Sequence, residues 1–118
     1  MANIRDLKKE VRYVCGDLAV ECLMARSYIK GVDAARMEAI VGDIAALQQT
    51  ALSRVTFSFD KIPSDFESGR EYRRARRAYF KKAYKSFREK FEGHVTDIVR
   101  EMNAALPQEV KDANKKQN

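Results

Sequence analysis

A single histidine, His94, is all the imidazole the sequence offers. A two-histidine zinc site, or a di-iron bundle with paired Glu-x-x-His motifs, therefore cannot be assembled from one chain. Cysteine is almost as scarce. Cys15 and Cys22 are the only two, and on a helix they share a face about 10 Å apart along the axis, too far for a disulfide. Both read as small buried hydrophobes, and neither lies in a nucleophile or redox motif. Proline (2) and glycine (5) are rare, which argues against disorder and for helices. No apolar run approaches the roughly 18 residues needed to span a bilayer. The start of the chain meets the charged Lys8-Lys9-Glu10 at once and lacks the apolar centre of a signal peptide, so the expected compartment is the cytoplasm. No glycine pattern forms a phosphate loop. These absences together predict no enzyme, no cofactor and no metal.

At 118 residues the chain is long enough to bury a hydrophobic core without metal or disulfide support. Helical periodicity fills most of it. Asn3 is a good N-cap with Asp6 three residues on. From there Ile4, Leu7, Val11, Val14, Leu18, Cys22, Ala25 and Ile29 recur at steps of three and four until Gly31. A second stripe (Tyr13, Val20 and Met24, with Leu23 at its edge) lies on the opposite side, so this helix is expected to touch neighbours on two faces. Asp33 caps a second helix with the stripe Met37, Ile40, Val41, Ile44, Leu47, Ala51, Leu52 and Val55. Its other face holds the small residues Ala35, Ala39, Gly42 and Ala46.

Val55, Phe57 and Phe59 then alternate with polar residues in a strand-like period, with no second strand to pair with. The phenylalanines are expected to fold over the end of the core. Ser64-Asp65-Phe66-Glu67 and Ser68-Gly69-Arg70-Glu71 both fit a capping box, so a third helix starts at one of these serines. Its stripe runs from Tyr72 through Tyr79, Ala83, Phe87, Phe91, Val95, Ile98 and Met102 to Leu106 without a phase break. Gly93 softens this helix by about 1 kcal/mol relative to alanine without requiring a break.

The predicted fold is all-α: an antiparallel bundle of three long helices at about 4–30, 34–56 and 66–105 in one domain, 1–107. A disordered polar tail, 108–118, follows. Burying the second stripe and the small-residue face calls for a homodimer.

Charge is the one strongly uneven property. Residues 1–60 carry eight basic and eight acidic side chains, whereas 70–90 carry ten basic and two acidic. That segment holds an excess of eight in a chain whose net charge is +6. At 100° per residue Arg70, Arg74, Arg77, Lys81, Lys85 and Arg88 form one row over about 27 Å of helix. Tyr72, Tyr79, Phe80, Ala83, Phe87 and Phe91 lie on another arc, with Tyr84 at its edge, and are expected to be core.

Like charges one turn apart weaken a helix, so some partner should neutralise the row. Internal carboxylates (Glu10, Asp17, Glu21, Glu38 and Asp43) could do this, as could nucleic-acid phosphates, an anionic membrane or an acidic protein. A membrane would require the aromatic arc that the core claims. Asp17 and Glu21 could also help bind a divalent cation, but a salt-bridging surface is the expected role. His94 is expected to be half-buried rather than catalytic. The sequence thus predicts a non-enzymatic helical interaction protein whose basic third helix contacts an acidic partner surface. The alternative is sequence-independent nucleic-acid binding through the same row.

Overall fold

Two side-chain caps set the first two helices. Asn3 Oδ1 accepts from the Asp6 amide at 2.8 Å and opens α1, Ile4–Tyr28. Asp33 Oδ1 accepts from the Arg36 amide at 3.0 Å and opens α2, Ala34–Arg54. Each satisfies one of the donors that a helix start leaves unpaired. Between them Gly31 adopts a φ of +81°, a conformation that glycine reaches without strain. In this computed structural model residues 3–108 and 110 are described. Among them there are three α-helices, one short 3-10 turn at Pro63–Asp65 and no strand.

The third helix, α3, is Gly69–Ala105, 37 residues without a break at Gly93. Of the two serines, Ser68 is the cap, its Oγ accepting from the Glu71 amide at 3.2 Å. Asp65 in the earlier box is engaged elsewhere, since its carboxylate accepts from the Ile62 amide at 2.9 Å and pins the 3-10 turn. The start expected near 66 therefore moves to 69. The ends expected near 30 and 56 fall at Tyr28 and Arg54. Of the expected tail, 109 and 111–118 lie outside the described residues. Gln108 and Val110 are helical, with the Val110 amide donating to the Pro107 carbonyl at 3.1 Å.

The three helices pack on one another with α2 antiparallel to α1 and α3. At one end the Asp33 amide donates to the Ala105 carbonyl at 3.0 Å, so the α1–α2 turn sits on the C-terminal end of α3. The core is a seam of near-heptad steps. Val11, Cys15, Leu18 and Cys22 of α1 meet Met37, Ile40, Ile44 and Ala51 of α2, and Phe91, Ile98 and Ala105 of α3. Leu7 and Val55 are also buried. A spacing of seven keeps one stripe facing its neighbours along shallowly crossing helices.

Helix length then decides the shape. α1 has 25 residues and α3 has 37, so with their C-terminal ends level α3 overshoots by about 18 Å. The molecule measures 65 × 27 × 17 Å with a radius of gyration of 19.6 Å, against about 13–14 Å for a compact chain of this length.

No residue of 69–90 is fully buried. This segment, whose first half is the overhang, rests instead on the connector between α2 and α3. The alternation of Phe57 and Phe59 with exposed Ser58 and Asp60 lays one face of the connector along α3, not over the end of the core as expected. Phe57 meets Tyr84 edge-on at 5.2 Å, and Phe59 meets Tyr72 and Tyr79 at 5.9 and 5.4 Å. A strand-like period serves here because an extended segment with one apolar face can pack on a helix. Among the described residues the outer stripe of α1 meets no second neighbour, leaving Tyr13 77% and Tyr28 80% exposed.

Candidate functional site

All six cations of the predicted row, Arg70, Arg74, Arg77, Lys81, Lys85 and Arg88, are exposed on α3. The carboxylates expected to offset them mostly do not. Arg88 Nε lies 3.8 Å from Glu10 Oε2, both side chains about half exposed, a geometry worth little in water. Glu38 pairs instead with Arg26 at 2.6 Å. Asp17, Glu21 and Asp43 form no ion pair with the row, and among the described residues Arg70, Arg74, Arg77, Lys81 and Lys85 have no carboxylate within salt-bridge distance. The overhang explains this, because the row's first half projects past the helices that carry those carboxylates.

The aromatic arc divides into three. Phe91 is buried and Phe87, stacked 6.1 Å from it, is partly buried, as a core face requires. Tyr72 and Tyr79 belong to the ladder with the connector, and Tyr79 stays 38% exposed, which corrects its assignment to the core. Phe80 and Tyr84 do something different. Together with Phe57 they give the apolar lining of an open groove of about 980 Å³ at the foot of α1. Asn3, Ile4 and Arg5 close it on the α1 side. Arg77, Lys81, Lys85 and Arg88 from the row line it on α3, with Arg76 beside them. Glu89 and Glu92 lie along the same lining.

Three contributors escaped the sequence reading. The Arg76 guanidinium sits 4.8 Å from the Phe80 ring centroid, within cation–π range. Their i, i+4 spacing was the signal available. Arg5 and Phe57 reach the groove only through tertiary packing. The positive end of the α1 dipole points the same way, adding to the cationic field.

The other candidates fall away from any shared site. His94 is exposed rather than half-buried, because Gly93 and its neighbours sit on the outer face of α3. Cys15 and Cys22 are buried free thiols whose pKa values are pushed up by burial, with Glu21 adding to the effect at Cys22. A thiol held in its neutral form is a poor nucleophile and metal ligand. Among the described residues no three His, Cys, Asp or Glu side chains converge as metal ligands would. No described helix is long and apolar enough to cross a membrane.

No protein-family model, curated protein or solved structure matches the chain. The function must therefore be read from the groove and the row. A line of unpaired cations beside a partly apolar groove can bind an extended anion.

Proposed function

We propose that this is a non-enzymatic, cytoplasmic helical interaction protein that binds the phosphate backbone of a nucleic acid, without sequence selectivity, through the basic face of α3. The observation carrying this reading is the solvent-facing row itself. Five of its six cations lack an ion-pair partner among the described residues, at a regular spacing of about 5 Å along the axis. A straight, single-sign row suits a polymer whose charge also repeats at short, regular intervals. Two unpaired buried thiols suit the reducing cytoplasm.

The test is a salt titration by fluorescence anisotropy with labelled oligonucleotides. If five or six phosphates are neutralised, affinity falls by about two to three orders of magnitude between 50 and 200 mM salt. Replacing Arg74→Glu and Lys81→Glu together should abolish binding at the higher salt. No binding at 50 mM salt, or unchanged affinity in that variant, would remove the nucleic-acid reading. The second reading is an acidic protein surface, favoured by the apolar lining that accompanies the cations.

A homodimer is part of the proposal. The exposed Tyr13, Val20, Leu23, Met24 and Tyr28 of α1 support it, as do the exposed Ala35, Ala39, Gly42 and Ala46 of α2. Large apolar side chains clustered on one helix face gain from being covered. A monomer by light scattering at high micromolar concentration would exclude this assembly.

A further inference from the structure

We infer that the groove at the foot of α1 makes the interface selective for single strands: unpaired bases stack on Phe80 and Tyr84 while Arg77, Lys81 and Lys85 hold the flanking phosphates. This rests on the nucleic-acid reading above and adds to it a preference that the cationic row alone would not give. A plain row of charges binds duplex and single strand alike through the backbone. Single-strand sites add aromatic platforms within a positively charged groove.

The geometry places the two kinds of group together. Phe80 and Tyr84 are one helical turn apart on α3, with ring centroids at 6.1 Å and planes inclined by 34°. Lys81 and Lys85 each follow one of these rings in sequence, and Arg77 lies one turn before Lys81. Both rings are only partly buried, and the Arg76 guanidinium on Phe80 adds a planar cation on which a base can also stack.

The shape of the groove fits a passing chain better than an enclosed small ligand. At about 980 Å³ it is open, and that volume is at the top of the ~300–1,000 Å³ range of small-molecule pockets. It opens at the N-terminal end of α1 and runs along α3, and among the described residues no helix fills it. Six cationic side chains line it against two carboxylates, Glu89 and Glu92. These two follow the Arg77–Lys85 stretch, so the anionic backbone is placed on that stretch and away from Glu92. A duplex offers its phosphates to the row but keeps its base faces stacked and out of reach of the rings.

The experiment compares three labelled probes on the full chain by anisotropy, all at one salt concentration. The single strand is an oligothymidylate of about 20 nucleotides, longer than the ~4–16 covered by one single-strand-binding unit. A mixed-sequence duplex of equal length and a polyglutamate peptide of similar charge are the others. Stacking of one or two bases predicts at least about fivefold tighter binding of the single strand than of the duplex.

Substituting Phe80→Leu with Tyr84→Leu keeps apolar bulk but removes the π-faces. It should weaken the single strand by about fivefold or more and change the duplex by less than about threefold. Arg77→Glu with Lys81→Glu should weaken both. Equal affinity of the unsubstituted protein for the two nucleic acids overturns the inference while leaving backbone binding intact, and does so whether or not the leucine variant folds. Failure of both nucleic acids at 50 mM salt overturns the nucleic-acid reading itself. Polyglutamate binding as tightly as the single strand overturns both, in favour of an acidic protein partner.

Discussion

Phe59→Ala should unfasten one end of the molecule and leave the other intact. Phe59 is partly buried and meets Phe66, Tyr72 and Tyr79 at ring-centroid distances of 6.4, 5.9 and 5.4 Å. It therefore joins the connector to the first turns of α3 in a region with no fully buried residue of its own. Each aromatic pair contributes about 0.5–1.5 kcal/mol beyond its area. With solvent at the edge of the cluster, losing three of them should cost about 2–3 kcal/mol locally. The row opposes the helix there too, because its three neighbouring like-charge pairs from Arg70 to Lys81 each destabilise by about 0.2–0.5 kcal/mol. A segment of about 15 residues under that repulsion does not stay helical alone.

Hydrogen exchange read by mass spectrometry resolves the two ends. Amide protection over 70–84 should fall about 30- to 150-fold, with little change over 91–105, where Phe91, Ile98 and Ala105 hold α3 in the core. Raising the salt to about 1 M, where the Debye length is near 3 Å, should restore part of the lost protection. An equal loss at both ends, or none over 70–84, would refute the view that the connector braces the overhang separately from the core.

Two further outcomes follow from single sites. Gly93 lies in mid-helix and a Cβ added there meets nothing within 4 Å, so Gly93→Ala should stabilise the fold by about 1 kcal/mol, seen as a rise of a few degrees in Tm. A fall in Tm would show that the outer face of α3 is not free. Cys15 and Cys22 are 1% and 0% exposed, and burial pushes both thiols up. At pH 7.5 a thiol reagent should therefore label neither in the native protein and both in denaturant. Rapid native labelling would contradict the burial.

The bundle was legible because its signals are local or periodic. Asn3 and Asp33 cap the helices that their spacing indicated, and the stripes from Leu7 to Cys22 and from Met37 to Val55 face the core. The start of α3 was not decidable from sequence, since both serine boxes carry the same residues at the same spacing. What separates them is the use of the Asp65 carboxylate by the Ile62 amide. The overhang was hidden for a different reason. Tyr72, Tyr79 and Phe87 continue the phase of Phe91 and Ile98, and a helical period reports an apolar face without saying what covers it. Only the relative lengths of α1 and α3, with their C-terminal ends level, show that a connector covers the first part and two helices the second. The cationic row could be read directly from charge, but its unpaired state depends on the same length difference.

That length difference also accounts for where the charge is placed. Within the bundle, a row of six cations on α3 would lie beside α1 and α2, whose segment carries as many acidic as basic residues. The row would then be paired or partly desolvated, and burial of a charge is costly unless it is matched. Beyond the foot of α1 the first half of the row stays hydrated, so its main cost is mutual repulsion along one helix. A bound polyanion would relieve that repulsion, so the overhang should be more helical in the complex than alone. The core-facing residues Phe91, Ile98 and Ala105 lie outside the basic segment and depend on none of its charges. Charge on the overhang can therefore change without repacking the bundle. In this arrangement Arg88, paired with Glu10 near the foot of α1, marks the boundary between the part of α3 that builds the fold and the part left open for a ligand.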